Sequence, residues 1–330
     1  MIPIIRNVKI SGTGRCLPEK VYTNEYLETI VDTNAEWIYN KLGIKERRIA
    51  EENETTSDLA SKAALMAIEN AGLTPDDIDL IIVATTTPDR PAPSTASFVQ
   101  EKIGAFNAGA FDIAAVCTGF MYAMTVGVQF VATGAIKHVL VIGADTFSKI
   151  TDWTRRDAVF FGDGAGAIVF SPNEKGDGLI TSKLGADGRG KFIWTVPAGG
   201  SEMPASETTV KERLHYWQMD GKGIYNTAVR VLPEVITDVL KAAHLTLDDI
   251  KYMVPHQPSI GILKETAAKL GMDFSKVLTN MDRYGNTSAG TIPILLSETV
   301  EKNMLSPGDN IIFAAVGSGM AWGAMVYRWV

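Results

Sequence analysis

The sequence predicts an α/β protein made of two related halves. Two observations carry this. Short β-branched apolar runs alternate with helical stretches along the chain, the pattern of helices packed on a sheet. In addition, "AGLTPDDIDLIIVATTTPD" beginning at Ala71 is echoed by "AHLTLDDIKYMVPHQPS" beginning at Ala243, with six identities in the first eight positions. Each copy reads as a helix end, a polar turn capped by threonine, and then a strand. Internal similarity over such a distance favours duplicated halves. The alternative is a common helix–turn–strand linker used twice.

The elements follow in order. Residues 57–70 have helical spacing. Residues 79–87 form a β-branched run of the kind buried on both faces of a sheet. Thr95–Ile103 reads as helix. The uncharged stretch 113–136 divides into a strand ending at Val116 and a small-residue helix starting near Thr118. It contains Cys117, Gln129, three Thr and three Gly, so a buried core helix is expected rather than a membrane span. Strands are expected at 138–145, 165–172, 252–255 and 310–319, and helices at 229–243 and Ile260–Leu270. The polar Pro/Gly stretch 170–178 reads as the linker between halves, giving units 1–172 and 173–330. Residues 183–211, rich in Gly, Ser and Pro, read as a surface excursion near a site.

Composition narrows the function. A chain of 330 residues, 46% hydrophobic and 21% charged, suits a globular protein with a sizeable core. Its net charge of −7 supplies no basic field for nucleic acid. Two cysteines make no disulfide framework, and reduced thiols in a cytoplasmic protein are expected. The N-terminal run carries Arg6 and Lys9 and does not read as a signal peptide.

Three polar residues could carry chemistry. Cys117 falls between a strand and a helix, where exposed N–H groups and the helix dipole would favour a thiolate nucleophile. Inert packing is the competing reading of a lone cysteine in an apolar run. His256 directly follows an apolar strand in the second copy of the echo, at the strand end where α/β sites gather; a satisfied core histidine is the alternative. The other three histidines, His138, His215 and His244, read as structural or solvated. Asn286 in "DRYGNTSAG" reads first as a turn residue. "FGDGAGA" at 161–167 lacks the spacing and the following Lys-Ser/Thr of a phosphate loop, so a tight, closely packed turn is expected there. "GSGMAWG" at 317–323 would let a backbone N–H approach a reacting oxygen.

Taken together, "FDIAAVCTGF", "FFGDGAGA", "VPHQPS", "YGNTSAG" and "GSGMAWG", with "DTNAEWI" near the start, resemble the β-ketoacyl-acyl-carrier-protein synthase III family over essentially the whole chain. The resemblance implies a thiolase-like fold of five layers, αβαβα, with two duplicated halves. It implies a cofactor-free condensation in which Cys117 accepts an acyl group from acyl-CoA, and His256 and Asn286 stabilise the enolate from a malonyl-acyl carrier protein. Backbone N–H groups of Cys117 and Ser318 would hold the oxyanion. Thr33, Trp37 and Arg155 would contact the CoA nucleotide, with Arg156 a neighbouring candidate, and Ser259 the pantetheine arm. No metal is implied. A homodimer and a cytoplasmic location are.

Several positions depart from the family pattern. Ser259 replaces an asparagine, and Gly261 and Asn226 replace basic residues associated with the acidic carrier. Lys41 replaces an arginine near the CoA phosphates. Lys222, Lys264 and Lys269 could form a different basic patch. Ala92 and Val316 replace bulkier residues and suggest a roomier acyl pocket. These departures support an alternative, a specialised relative using another acyl donor or acceptor in a secondary pathway. A non-catalytic scaffold of the same fold and an unrelated cysteine hydrolase are the remaining classes.

Overall fold

The computed structural model describes residues 6–174, 176 and 178–330. Residues 1–5 of the N-terminal run and Lys175 and Asp177 of the linker stretch lie outside the described residues. Nine strands form the two main sheets: β1 Asn7–Cys16, β2 Leu80–Ala84, β3 Gly109–Ile113, β4 Val139–Asp145, β5 Gly164–Asn173, β6 Gly178–Ala186, β7 Ile250–Pro255, β8 Asn310–Gly317 and β9 Ala321–Arg328. The first sheet has the order β1-β5-β4-β2-β3 and the second β7-β8-β9-β6.

The pairing directions repeat. In the first sheet β1/β5 and β5/β4 are antiparallel, and β4/β2 and β2/β3 are parallel. In the second, β6/β9 and β9/β8 are antiparallel and β8/β7 is parallel. Thus β6, β9, β8 and β7 match β1, β5, β4 and β2 in order and direction. The echoed sequences lead into the matched strands β2 and β7 through one kind of turn. Thr74 donates its N–H and hydroxyl to Asp77 Oδ2 at 2.8 and 2.7 Å. Thr246 does the same to Asp249 Oδ2, both at 2.8 Å. Each carboxylate satisfies amides that the turn would otherwise leave unpaired.

Among the described residues seven helices have eight residues or more, and all but the first complete the layers: α1 Ala35–Leu42, α2 Thr56–Asn70, α3 Thr95–Ile103, α4 Gly119–Ala132, α5 Gly221–Ala243, α6 Ile260–Leu270 and α7 Thr291–Glu301. Helices α2 and α3 pack on the outer face of the first sheet. Helices α5 and α6 pack on the outer face of the second. Between the sheets lie α4 and α7, in a core with Phe120, Met121, Met124, Ile292, Leu295 and Leu296. The result is the expected five layers, αβαβα. Helix α4 carries no charge; most of it is buried between the sheets, and Tyr122, Val126, Gln129 and Phe130 form a half-buried stripe along one side. Each large apolar side chain buried there contributes roughly 1.5–3 kcal/mol. One hydrogen bond ties the two sheets' strands together, from the Ile10 amide to the Tyr327 hydroxyl at 2.7 Å.

Two boundaries move from the sequence reading for a clear local reason. Strand β3 stops at Ile113 rather than Val116, because Val116 adopts a left-handed conformation with φ 46°. Helix α5 starts at Gly221 rather than 229, since Asp220 caps it by accepting the Lys222 amide at 3.1 Å. Helix α7 begins before Pro293, at Thr291; proline in a first turn lacks only an N–H that has no helical partner. Of the expected excursion, Lys183 to Ala186 lie within β6, and the remainder carries Trp194–Thr195, which pair with Gln218–Met219. The stretch 161–167 is closely packed but is not a turn: Gly164–Ala167 already belong to β5, and buried Asp163 before them accepts the amides of Ala50 and Ser148 at 2.7 and 2.8 Å.

Candidate active site

Cys117 sits in a short 3-10 turn, Val116–Thr118, between β3 and α4. The left-handed Val116 directly before it is a strained conformation for a β-branched residue, of a kind that costs on the order of 1–3 kcal/mol. It swings the chain out of the sheet and presents the sulfur to a cavity between the halves. The end of β8 closes on the same turn. A Cβ placed on Gly317 would lie 3.1 Å from the Cys117 nitrogen and 2.9 Å from that of Thr118. Only glycine lets the strand come so near the amides of Cys117 and Thr118.

The enclosure alters the expected thiolate. Burial pushes the Cys117 thiol up to about 12; the neighbouring Ser288 and Asn286 side chains pull it down and buried Asp145 raises it. The resting group at neutral pH is therefore the thiol. Desolvation in an apolar site outweighs the helix terminus. The second cysteine, Cys16, is also free and pushed up by burial.

His256 follows the last residue of β7, and its backbone N–H donates to Ala314 O of the neighbouring β8 at 2.8 Å. Burial drives its ring down to about 3, so the imidazole is neutral. Its Nδ1 lies 2.7 Å from Thr291 Oγ1. Asn286 is buried in the turn before α7. Its backbone is pinned on both sides, donating to Phe160 O and accepting from the Gly162 amide, each at 3.1 Å. Its Oδ1 accepts the Ser288 amide at 2.8 Å. The first sheet makes room for this turn: a Cβ on Gly143 of β4 would fall 2.1 Å from Ala289 O.

Cys117, His256, Asn286, Gly317, Ser318 and Ser259 all line one cavity of about 550 Å³, whose walls include Phe161, Trp194 and Met320. Ser318 is anchored by its hydroxyl, which donates to Trp194 O at 2.7 Å. Ser259 caps α6 by accepting the Ile262 amide at 3.4 Å. Val316 lines the cavity but Ala92 does not; Ala92 is exposed on the surface. The three other histidines are structural. His138 Nδ1 meets Ser171 at 2.8 Å, His215 Nε2 meets Thr209 at 2.9 Å, and His244 ends α5 in a left-handed conformation.

Trp37 and Lys41 of α1 stand at the cavity mouth, and Trp37 continues into an outer groove with Arg155 and Arg156. The structure separates the two arginines. Arg156 covers the Trp37 ring, Cζ to centroid 4.8 Å. Arg155 is held by Asp157 through two hydrogen bonds of 3.0 and 2.7 Å. Stacking on Trp37 thus falls to Arg156, because a carboxylate two residues away claims Arg155. Thr33 Oγ1 is buried without a partner. Of the three lysines suggested as a basic patch, Lys222 is exposed, Lys264 lies over Phe274, and Lys269 donates to Val229 O at 3.0 Å. No cluster of three His, Cys, Asp or Glu suited to a metal occurs among the described residues, and no helix there is long and apolar enough to cross a membrane. The sequence reading passed over Thr291; its signal was the run of hydroxyl residues after Asn286.

Two fused α/β halves, with a cysteine from one and a histidine and asparagine from the other at one enclosed cavity, define a thiolase-like acyltransferase. The family profile for 3-oxoacyl-[acyl-carrier-protein] synthase III matches residues 111–188, and that for the C-terminal part of the same family matches 240–329. The β-ketoacyl-[acyl-carrier-protein] synthase III of Clostridioides difficile is 50% identical over 97% of this chain and 98% of its own. That of Caldanaerobacter subterraneus subsp. tengcongensis is 48% identical over 97% of each chain. The crystal structure of 3-oxoacyl-[acyl-carrier-protein] synthase III from Aquifex aeolicus superposes with a TM-score of 0.91 at 40% identity, covering 98% of this chain and 100% of that one. The chain belongs to the β-ketoacyl-acyl-carrier-protein synthase III family of condensing enzymes.

Proposed function

We propose that the protein initiates fatty-acid synthesis by condensing an acyl-CoA with malonyl-acyl carrier protein, with loss of CO₂. The observation that carries this is the convergence of Cys117, His256, Asn286 and the Gly317–Ser318 turn on one cavity. The Cys117 sulfur attacks the acyl-CoA thioester, and its proton leaves with the departing CoA as CoA thiol. An acyl-cysteine remains, which divides one hard step into two easier ones. Backbone N–H groups of Cys117 and Ser318 hold the oxyanion of that attack. Malonyl thioester then enters and loses CO₂. Its enolate oxygen takes hydrogen bonds from His256 Nε2–H and Asn286 Nδ2–H, each worth about 3 kcal/mol. The enolate carbon attacks the acyl carbonyl, the cysteine sulfur leaves, and the ketoacyl product departs on its carrier. No cofactor beyond the substrates enters these steps.

Thr33, Trp37, Arg156 and Arg155 suit the CoA nucleotide, and Ser259 the pantetheine arm. The partners of this reading are acyl-CoA, an acyl carrier protein and a second copy of the chain, in the cytoplasm. The division at 172/173 assigns the nucleophile to one duplicated half and the two donors to the other. A second reading, a specialised synthase with another acyl donor or acceptor, is favoured by Asn226 and Gly261, both uncharged where the family pattern has basic residues.

Intact mass after incubation with acyl-CoAs tests the proposal. Wild type should gain one acyl group and Cys117→Ala none. Absence of any adduct would remove both condensing readings. Adding malonyl-acyl carrier protein should then release CO₂ and ketoacyl product; acylation without condensation selects the specialised reading.

A further inference from the structure

We propose that Asp145 is a positioning residue: its carboxyl group, at the end of a strand in one half, holds the turn of the other half that aims Asn286 into the cavity. The inference rests on the enolate-stabilising role given to Asn286 above. Asp145 is the last residue of β4 and is fully buried, yet no step of the reaction uses it. A polar group buried so deeply is tolerated only where partners satisfy it. Its Oδ1 accepts the backbone amides of Thr86 and Thr87 at 2.7 and 3.1 Å, in the loop after β2 of its own half. The Thr85 and Thr87 hydroxyls stand 3.2 and 2.9 Å from the same oxygen. Its Oδ2 accepts the Ala289 amide of the other half at 3.2 Å.

The Ala289 amide matters because of the residue before it. Ser288 has φ 51°, a left-handed conformation that residues with a side chain seldom adopt. Such a conformation persists only where the surroundings fix it. Two successive amides of this bend are held by acceptors. That of Ser288 goes to Asn286 Oδ1 at 2.8 Å, which leaves the Asn286 –NH₂ for the cavity. That of Ala289 goes to Asp145. Without the second acceptor the bend at Ser288 relaxes and the Asn286 amide loses its aim. The matched strand of the other half ends differently. At the end of β8 stands Gly317, which leaves the Cys117 amide to a substrate oxygen, whereas at the end of β4 Asp145 supplies the oxygen itself.

Asp145→Asn tests this in the full-length protein, because a side-chain amide keeps only one acceptor oxygen. The two amides on the Oδ1 side hold that oxygen, so the new –NH₂ faces the Ala289 N–H and the link between the halves is lost. Malonyl decarboxylation should fall about a hundredfold through kcat, the scale of one misplaced donor, while Cys117 acylation read by intact mass stays within about fivefold of wild type. Thr87→Val removes a neighbour of Oδ1 and leaves the Ala289 link. It should lower the melting temperature and keep the wild-type ratio of decarboxylation to acylation. An unchanged ratio in Asp145→Asn, or an equal shift in Thr87→Val, overturns the inference. If Asp145→Asn does not fold alone, the same substitution is made in a Ser288→Gly background, where glycine takes the left-handed conformation without strain. The ratio should again fall relative to Ser288→Gly, and an unchanged ratio overturns the inference. Failure of wild type to form an acyl-cysteine would instead sink the functional reading, a result that no Asp145 variant can produce.

Discussion

The Asn286 side-chain carbonyl accepts the Ser288 amide at 2.8 Å, which leaves its –NH₂ as the end that faces Cys117. A buried amide held at one end is a preorganised donor at the other, with no reorganisation needed during reaction. Asn286→Asp keeps the shape and removes the donor. Malonyl decarboxylation should drop about a hundredfold to a thousandfold, while acylation of Cys117 persists. Decarboxylation by CO₂ release and acylation by intact mass check this, and loss of acylation alone would contradict it.

Protonation gives a second expectation. With the Cys117 thiol pushed up to about 12, the thiolate fraction at pH 7 is small and rises tenfold per pH unit. Alkylation by iodoacetamide should climb steadily from pH 7 to 10, without the plateau of an ordinary thiol.

His256 supplies a stability test with a definite sign. Its folded pKa of about 3 lies below the unfolded value near 6.5. The neutral form is thus favoured by folding. This contribution is present above pH 6.5 and is lost as pH falls below it toward 3, at up to about 1.4 kcal/mol per unit. Urea midpoints at pH 7 and pH 5 should differ more for wild type than for His256→Gln. Equal differences would rule the assignment out.

Gly317→Ala puts a methyl 3.1 Å from the Cys117 nitrogen. The amides of that turn must then shift. Acylation should slow by about a hundredfold, the cost of one misplaced oxyanion donor, measured by single-turnover mass spectrometry with acyl-CoA in excess.

The two arginines at the outer groove should separate by substrate. Arg156→Ala removes the group stacked on Trp37 and should raise KM for acyl-CoA about threefold to fivefold, with kcat unchanged. Arg155→Ala should matter less. A short thioester lacking the nucleotide should not distinguish either variant from wild type.

Much of this was legible in the sequence. The alternation of short apolar runs with helices located the layers, and Thr74 and Thr246 do cap matched turns into β2 and β7. Cys117, His256 and Asn286 stood out because few residue types carry such chemistry, and their motifs kept the family spacing. What stayed hidden depends on contacts between distant segments. Nothing local marks Val116 as left-handed; the approach of β8 and α4 forces it. Arg155 and Arg156 are neighbours of one type, and only Asp157 decides which is free to stack. The thiol's protonation was misjudged because a helix terminus is visible in sequence, whereas enclosure by two sheets is not.

The missing methyl of Gly143 has a consequence for how this architecture can change. Ala289 O occupies the volume that any side chain at 143 would fill. The two duplicated units are thus machined to a common tolerance, set by atoms that are not there. Drift in one unit is bounded by the other even at positions remote from any substrate. Substitutions that widen substrate choice should accumulate along the cavity wall, around Val316 and Trp194, and leave this seam untouched.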